Sequence, residues 1–124
     1  MKNVQSRKSK IKAIAEVVGL NPAWCLAIAE VESSMGINQL SPTGARGVYQ
    51  LTSIAFKDLQ LGMEKKNDDT TDILCGLAFL YLLKRRWGSE IEATKKYCDP
   101  AVRDAYVEKM KKAREKFKKE LEEA

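Results

Sequence analysis

The chain contains no histidine, and only three of its 124 residues are cysteine. Without an imidazole to activate a thiolate, a cysteine-histidine hydrolase is excluded. A zinc site would need carboxylate ligands instead, and Cys25, Cys75 and Cys98 are an odd number of thiols at long spacings. We therefore predict free thiols in a reducing compartment, mainly as small buried apolar groups, and we expect no metal and no cofactor.

Long hydrophobic runs are also missing. No apolar stretch approaches the roughly 20 residues of a membrane-spanning helix, and the first eight residues lead into an amphipathic pattern without a secretion signal. Low-complexity stretches are missing as well, and 44% of the residues are hydrophobic. This composition predicts a folded protein with one domain over residues 1–124, one core, no stable membrane insertion and a monomeric state.

The net charge of +5 favours anionic partners without choosing among them. Basic residues are mixed with acidic ones, and two Trp, four Tyr and three Phe leave few rings for base stacking, so we expect no nucleic-acid partner. The segment from about 100 to 123 alternates Lys or Arg with Glu at helical spacing, which predicts a charged amphipathic helix. We interpret its charges as a solvated face, with contact to anionic envelope polymer as the alternative.

Apolar residues recur at three and four positions along most of the chain, which is the spacing of helices, and strand-like alternation is missing. The pattern predicts an all-α fold. The predicted helices and their limits are 6–18, 22 to about 34, 52–61, 73–87, about 90–97, and one from 100 onward. Asn21 followed by Pro22 is typical of the N-cap and first position of the second helix, and Asp99 followed by Pro100 is typical of those of the last. The apolar stripe of the last predicted helix consists of Val102, Tyr106, Met110, Ala113, Phe117 and Leu121. The segment 73–87 is the most apolar and is expected to be the central helix, 36–47 reads as an irregular loop, and 64–71 reads as an exposed connection.

Glu32 lies where the second predicted helix meets the glycine-bearing loop, one turn after Ile28. A carboxyl group there should be partly desolvated yet reachable, which raises its pKa. Such a group can protonate the departing oxygen of a glycosidic bond. Glu30 is two residues away, roughly 200° around the helix, so the two glutamates do not form a catalytic pair.

Two motifs extend this interpretation to a family. Val31-Glu32-Ser33 and the segment 40–50, Leu-Ser-Pro-Thr-Gly-Ala-Arg-Gly-Val-Tyr-Gln, resemble the signature of lytic transglycosylases related to goose-type lysozyme. The segment 72–87, with an internal Gly76, is similar to a helix of that family, and Tyr97 falls where the family has a tyrosine-asparagine pair. The resemblance covers about residues 21–99 and implies a lysozyme-like helical domain with an active-site groove.

The resemblance implies a role for each matching position. Glu32 would act first as general acid and then as base, and Tyr97 would assist near it. Ser41 and Gln50 would hydrogen-bond around the scissile sugar.

The loop positions carry further expectations. Gly44 and Gly47 would let the loop backbone fold tightly against the glycan. Tyr49 stands where the family usually has methionine, and we expect its ring to stack on a sugar.

The expected substrate is peptidoglycan, cut at the β-1,4 bond between N-acetylmuramic acid and N-acetylglucosamine. In the family the C6 hydroxyl of the sugar attacks, leaving a 1,6-anhydromuramoyl end, so a single Glu suffices. Water in place of that hydroxyl would make the chain a muramidase. A non-catalytic glycan-binding or virion structural module is the third possibility, because Cys98, Asp99 and Pro100 replace the family's Asn-Ala-Gly.

The expected place of action follows from the substrate, which lies outside the cytoplasm. With no secretion signal in the sequence, we expect a phage-encoded endolysin or virion-associated enzyme that is made in the cytoplasm and delivered to the cell wall or periplasm. An excised domain of an exported protein would have the same sequence features.

Overall fold

The computed structural model describes residues 2–40, 45, 47–52 and 68–123. Within these ranges the chain forms five α-helices and no strand, which confirms the all-α prediction. The helices are α1 (Lys2–Val18), α2 (Pro22–Ser33), α3 (Asp69–Trp87), α4 (Glu90–Tyr97) and α5 (Arg103–Glu123), with a 3-10 turn at Pro100–Val102. The predicted helix at 52–61 lies almost entirely outside the described residues.

Helix α2 is the centre of the fold. The side chain of Asn21 caps its first turn by accepting from the backbone N–H of Ala23 at 2.9 Å, and Pro22 occupies the first helical position, as the sequence predicts. All seven residues from Ala23 to Ala29 are buried, because α1 and α5 both pack on this helix. Over these seven residues α2 is apolar around its whole circumference, and the prediction that 73–87 is central was wrong.

Helix α3 begins at Asp69, one turn earlier than predicted. Asp68 caps it by accepting from the backbone N–H of Thr71 at 2.8 Å, so the last three residues of the predicted exposed connection are helical. One face of α3 contributes Ile73, Leu77 and Leu80 to the core. Beside this face, α3 leaves large apolar side chains on the surface, among them Leu74, Tyr81 and Leu82.

Helix α4 has the predicted limits, and its Thr94 hydroxyl accepts from the indole N–H of Trp24 in α2 at 2.9 Å. After it, Asp99 caps the 3-10 turn rather than the last α-helix, which starts at Arg103. Val102 was predicted on the buried stripe of that helix and is instead exposed, whereas Met110 and Phe117 are buried as expected.

The remaining predictions concern α1 and the cysteines. Helix α1 starts at Lys2 rather than at residue 6, and it packs on α2 through Ile11 and Ala15. All three cysteines are free, and Cys25 and Cys75 are buried. In the described part of the chain no helix is long and apolar enough to cross a membrane.

Candidate active site

Glu32 lies in the last turn of α2, and its carboxyl group is largely buried. The hydroxyl of Tyr106, on α5, donates a hydrogen bond of 2.7 Å to Oε1 of Glu32. Burial raises the pKa of Glu32 from 4.5 to about 7, and the Tyr106 hydrogen bond acts in the opposite direction because it favours the carboxylate. The group therefore exchanges its proton near neutral pH, as a general acid and base must.

Ser33 fixes the end of α2 to the segment 47–50. Its hydroxyl lies 2.6 Å from the carbonyl oxygen of Val48 and 3.2 Å from that of Ala29, and it accepts from the backbone N–H of Gly36 at 2.8 Å. This buried hydroxyl is shared between the helix, the chain that leaves it and the second motif. Glu32, the preceding residue, is thereby held beside that motif.

Three described residues other than glycine adopt left-handed backbone conformations, and all three lie in the second motif or directly after the first. They are Ser34 and Met35, with φ of 50° and 58°, and Gln50, with φ of 51°. Each such conformation costs roughly 1–2 kcal/mol. Met35 is held in place by core packing and by the guanidinium of Arg7, which donates to its carbonyl oxygen at 3.2 Å. Strain concentrated beside a buried acid is typical of functional sites.

Gly47 and Asp72 meet where the segment 47–50 crosses the first turn of α3. The Asp72 carboxylate accepts from the backbone N–H of Val48 at 2.6 Å. Gly47 has a φ of 90°, and a Cβ atom on it would overlap the Asp72 carboxylate. Both the conformation and the close approach therefore require glycine. Gly47 packs closely against Asp72, and the predicted packing of the loop backbone at Gly47 against a glycan stays a prediction.

The ring of Tyr49 lies in the core, which corrects the expectation that it stacks on a sugar. Its side chain is fully buried, and its hydroxyl donates to the carbonyl oxygen of Cys25 in α2 at 2.8 Å. The ring fills the space that Gly76 leaves on α3, where a Cβ atom would overlap it. The Tyr49 ring thus packs against the backbone of α3 at Gly76, and the sequence alone could not predict this contact.

Gln50 uses its amide group to hold the loop. Its Nε2 donates to the carbonyl oxygens of Gln39 and Gly47, each at 2.8 Å. These two bonds use both amide hydrogens. The carbonyl oxygen Oε1 is therefore the side-chain atom through which Gln50 would contact a glycan, and it would accept from a sugar hydroxyl or N–H.

Tyr97 lies near Glu32, but its hydroxyl group does not form a hydrogen bond with that carboxyl group. It donates to the backbone carbonyl of Tyr49, and its ring contacts that of Phe79 with centroids 5.6 Å apart. Burial, and after it the charge of Glu32, raises the pKa of Tyr97 well above 10. Tyr97 thus holds the backbone of the second motif, whereas Tyr106 is the tyrosine that touches Glu32.

Among the described residues no three acidic or cysteine side chains cluster as metal ligands would. The family model of the transglycosylase SLT domain matches residues 9–120. The chain belongs to this family. Searches among curated proteins and among solved structures gave no match. The family match is longer than the resemblance at about 21–99, because it takes in most of α1 and nearly all of α5.

Membership in the SLT family fixes the fold as lysozyme-like and helical, as the motifs predicted. It also makes the chain a transglycosylase-type enzyme with peptidoglycan as its substrate. Of the predicted site residues, Gly47, Gln50 and Tyr97 are joined to the segment 47–50, and the Ser33–Val48 hydrogen bond ties that segment to the end of α2 that carries Glu32. Ser41 and Gly44 lie outside the described residues, so the predicted contact of Ser41 with the sugar stays a prediction.

In this SLT domain, two side chains of the site were not singled out from the sequence. Tyr106 was assigned only to the apolar stripe of the last helix, although a tyrosine in such a stripe needs a partner for its hydroxyl. Asp72 was assigned only to a helix start. Its signal was weaker still, since an acidic residue in a first helical turn is common on grounds of the helix dipole alone.

Proposed function

We propose that the chain is a lytic transglycosylase that cleaves the β-1,4 bond between N-acetylmuramic acid and N-acetylglucosamine and forms 1,6-anhydromuramoyl ends. The observation that carries the proposal is the buried Glu32 carboxyl, whose pKa is raised to about 7 and which is held by Tyr106 at 2.7 Å. A carboxyl group with this pKa is partly protonated at neutral pH and can donate to a leaving oxygen.

In the first step the protonated Glu32 donates its proton to the glycosidic oxygen as the bond from that oxygen to C1 of the muramoyl residue breaks. The departing sugar leaves with a free 4-hydroxyl group, and positive charge develops at C1. The newly formed Glu32 carboxylate stabilises that charge. The Tyr106 hydroxyl stabilises the carboxylate in turn, because it donates to Oε1.

In the second step the C6 hydroxyl of the same muramoyl residue attacks C1, and its proton passes to the Glu32 carboxylate. The ring closes to the 1,6-anhydro form, no water is consumed, and Glu32 is again protonated. One carboxyl group serves both steps only if its pKa lies near the working pH, and burial places that of Glu32 there.

The test is a digestion of purified peptidoglycan, with the muropeptides identified by mass spectrometry. The wild-type chain is compared with Glu32→Gln, which keeps the shape of the side chain and removes its proton. Glu30→Gln is the matched control, since it makes the same change two residues away in the same helix. We expect anhydro ends from the wild type and from Glu30→Gln, and a loss of about 100-fold or more in rate for Glu32→Gln.

Two results would contradict the proposal in different ways. Products with reducing ends, each heavier than the anhydro form by one water, would identify a muramidase that uses the same acid. No release by the wild type from walls of several bacterial types would indicate a module that binds glycan without cutting it.

A further inference from the structure

An apolar groove runs between α1 and α3 on the surface, and the proposed chemistry does not use it. Ile14 and Val18 of α1 line one wall, and the other wall is formed by α3 with Leu74, Ala78, Tyr81 and Leu82. Its volume is about 520 Å³. Leu74 and Leu82 are 42% and 46% exposed, and contiguous exposed apolar side chains of this kind mark binding surfaces.

The groove continues into a basic cavity at the C-terminal end of α3. Tyr81 lines both spaces, and the second one, of about 280 Å³, is lined by Lys84 and Arg85 together with residues that follow α1. Within the described ranges neither cation forms an ion pair with a carboxylate. Arg85 instead donates to the Tyr81 hydroxyl at 3.5 Å. The combined surface is therefore apolar along its length and cationic at one end.

We propose that this surface binds an anionic lipid at the face of a bilayer, with an acyl chain in the α1–α3 groove and the headgroup on Lys84 and Arg85. The site is peripheral, since a groove of this kind places the protein on the membrane rather than across it. An acyl chain gains about 0.8 kcal/mol for each CH₂ group that it buries. Each cation near an anionic surface gains about 1 kcal/mol. The apolar groove therefore matches the acyl chain of such a lipid, and the cationic end matches its headgroup.

Charge and size favour a lipid over the other occupants. A second copy of the chain, whose net charge is +5, would bring Lys84 and Arg85 close to another set of cations. A protein partner would need about 800 Å² of contact on each side for a stable complex. The groove between the two helices has a volume of about 520 Å³, which is enough for a single acyl chain.

The proposal is tested by co-sedimentation of the whole chain with vesicles of phosphatidylglycerol mixed into phosphatidylcholine, and with vesicles of phosphatidylcholine alone. We expect binding to the first and not to the second. The variant Lys84→Gln/Arg85→Gln should weaken binding by about 30-fold, because each cation contributes about fivefold at an anionic surface. The variant Leu74→Ser/Leu82→Ser should weaken it at least as much. Both variants change exposed or half-buried positions, and circular dichroism verifies their folding.

Two control variants distinguish binding at this surface from nonspecific electrostatic or hydrophobic adsorption to vesicles. Lys118→Gln/Lys119→Gln removes the same charge from exposed positions on α5, and Val102→Ser removes an exposed apolar side chain elsewhere. Both should bind as the wild type does. Equal binding to neutral vesicles, no binding to either vesicle, or equal losses in the controls would overturn the proposal. So would a dimer in sedimentation equilibrium that the Leu74→Ser/Leu82→Ser variant abolishes, since the groove would then belong to a second copy.

Discussion

At the scale of single residues, the proposed chemistry depends on the pair formed by Glu32 and Tyr106. Burial favours the neutral carboxyl group, and the hydroxyl of Tyr106 favours the charged one. The pKa of about 7 is the balance of these two opposing effects, with burial the larger. Changing either partner should therefore move the pKa in a direction that can be stated in advance.

Replacing Tyr106 with Phe should raise the pKa of Glu32 above 7, because the hydrogen bond that favours the carboxylate is lost while burial remains. As the general acid must be protonated, the alkaline limb of the rate profile should move to higher pH. The measurement is the rate of peptidoglycan digestion between about pH 5 and pH 9. Tyr81→Phe, a surface tyrosine in the α1–α3 groove, is the matched control and should leave the profile in place. An alkaline limb that stays put or moves to lower pH in Tyr106→Phe would contradict this assignment.

The raised pKa of Glu32 also predicts how stability depends on pH. In the unfolded chain this carboxyl group has a pKa near 4.5, and in the folded chain about 7, so the folded state binds the proton more tightly. Below pH 4.5 the group is neutral in both states and has no effect. As pH rises to about 7, the folded state loses stability by up to about 3 kcal/mol, at roughly 1.4 kcal/mol for each pKa unit.

Glu32→Gln should remove this penalty. The variant should be more stable than the wild type above about pH 7 and nearly equal to it below about pH 4.5. Urea unfolding at several pH values measures the difference, with Glu30→Gln as the reference. A constant difference across the whole range would show that the substitution acts by packing and not by charge.

At the scale of elements, the segment 47–50 of the second motif is fixed from three sides. Ser33 holds it to α2, Asp72 to α3, and Tyr97 to α4, each by a hydrogen bond to the backbone of residues 48 or 49. These three hydrogen bonds satisfy polar groups of the segment's backbone, and they fix its position relative to the three helices. The most sensitive point is Gly47, where the segment approaches α3.

Gly47→Ala should cost about 2–4 kcal/mol, since the left-handed conformation and the overlap with Asp72 both oppose the added Cβ atom. The hydrogen bond from Val48 to Asp72 would lengthen, and digestion should slow with it. Gly88 has nearly the same φ, 89° against 90°, but a Cβ atom there meets nothing within 4 Å. Gly88→Ala should therefore cost only about 1–2 kcal/mol. Thermal unfolding measures both, and equal losses would show that contact with Asp72 is unimportant.

At the scale of the whole molecule, the sequence predicted features that depend on neighbouring residues, but it did not predict contacts between residues far apart in the chain. The cap at Asn21 and Pro22 and the limits of α4 follow from residues a few positions apart, as does the placement of Glu32 at a helix end. The contacts of Tyr106 with Glu32 and of Tyr49 with Gly76 join residues that are far apart in sequence. No spacing rule reports such pairs, so Tyr49 was predicted to face the sugar when its ring belongs to the core.

The choice of central helix failed for a related reason. Helix α3 has the larger apolar side chains, but α2 has three alanines among its buried residues, and small side chains let neighbouring helices approach from every direction. The number of large apolar residues in a segment does not indicate how closely neighbouring helices can approach it. Leu74, Tyr81 and Leu82, which α3 leaves exposed, line the α1–α3 groove.

The position of Tyr49 has one more consequence. Its ring is inserted between α2 and α3, while its backbone forms part of the segment 47–50 that lies beside the end of α2, where Glu32 stands. The segment 47–50 therefore cannot open by itself, as a surface lid does, without withdrawing a large aromatic group from the interior. Opening here would belong to the same cooperative event as global unfolding, so the working site exists only while the entire core is formed.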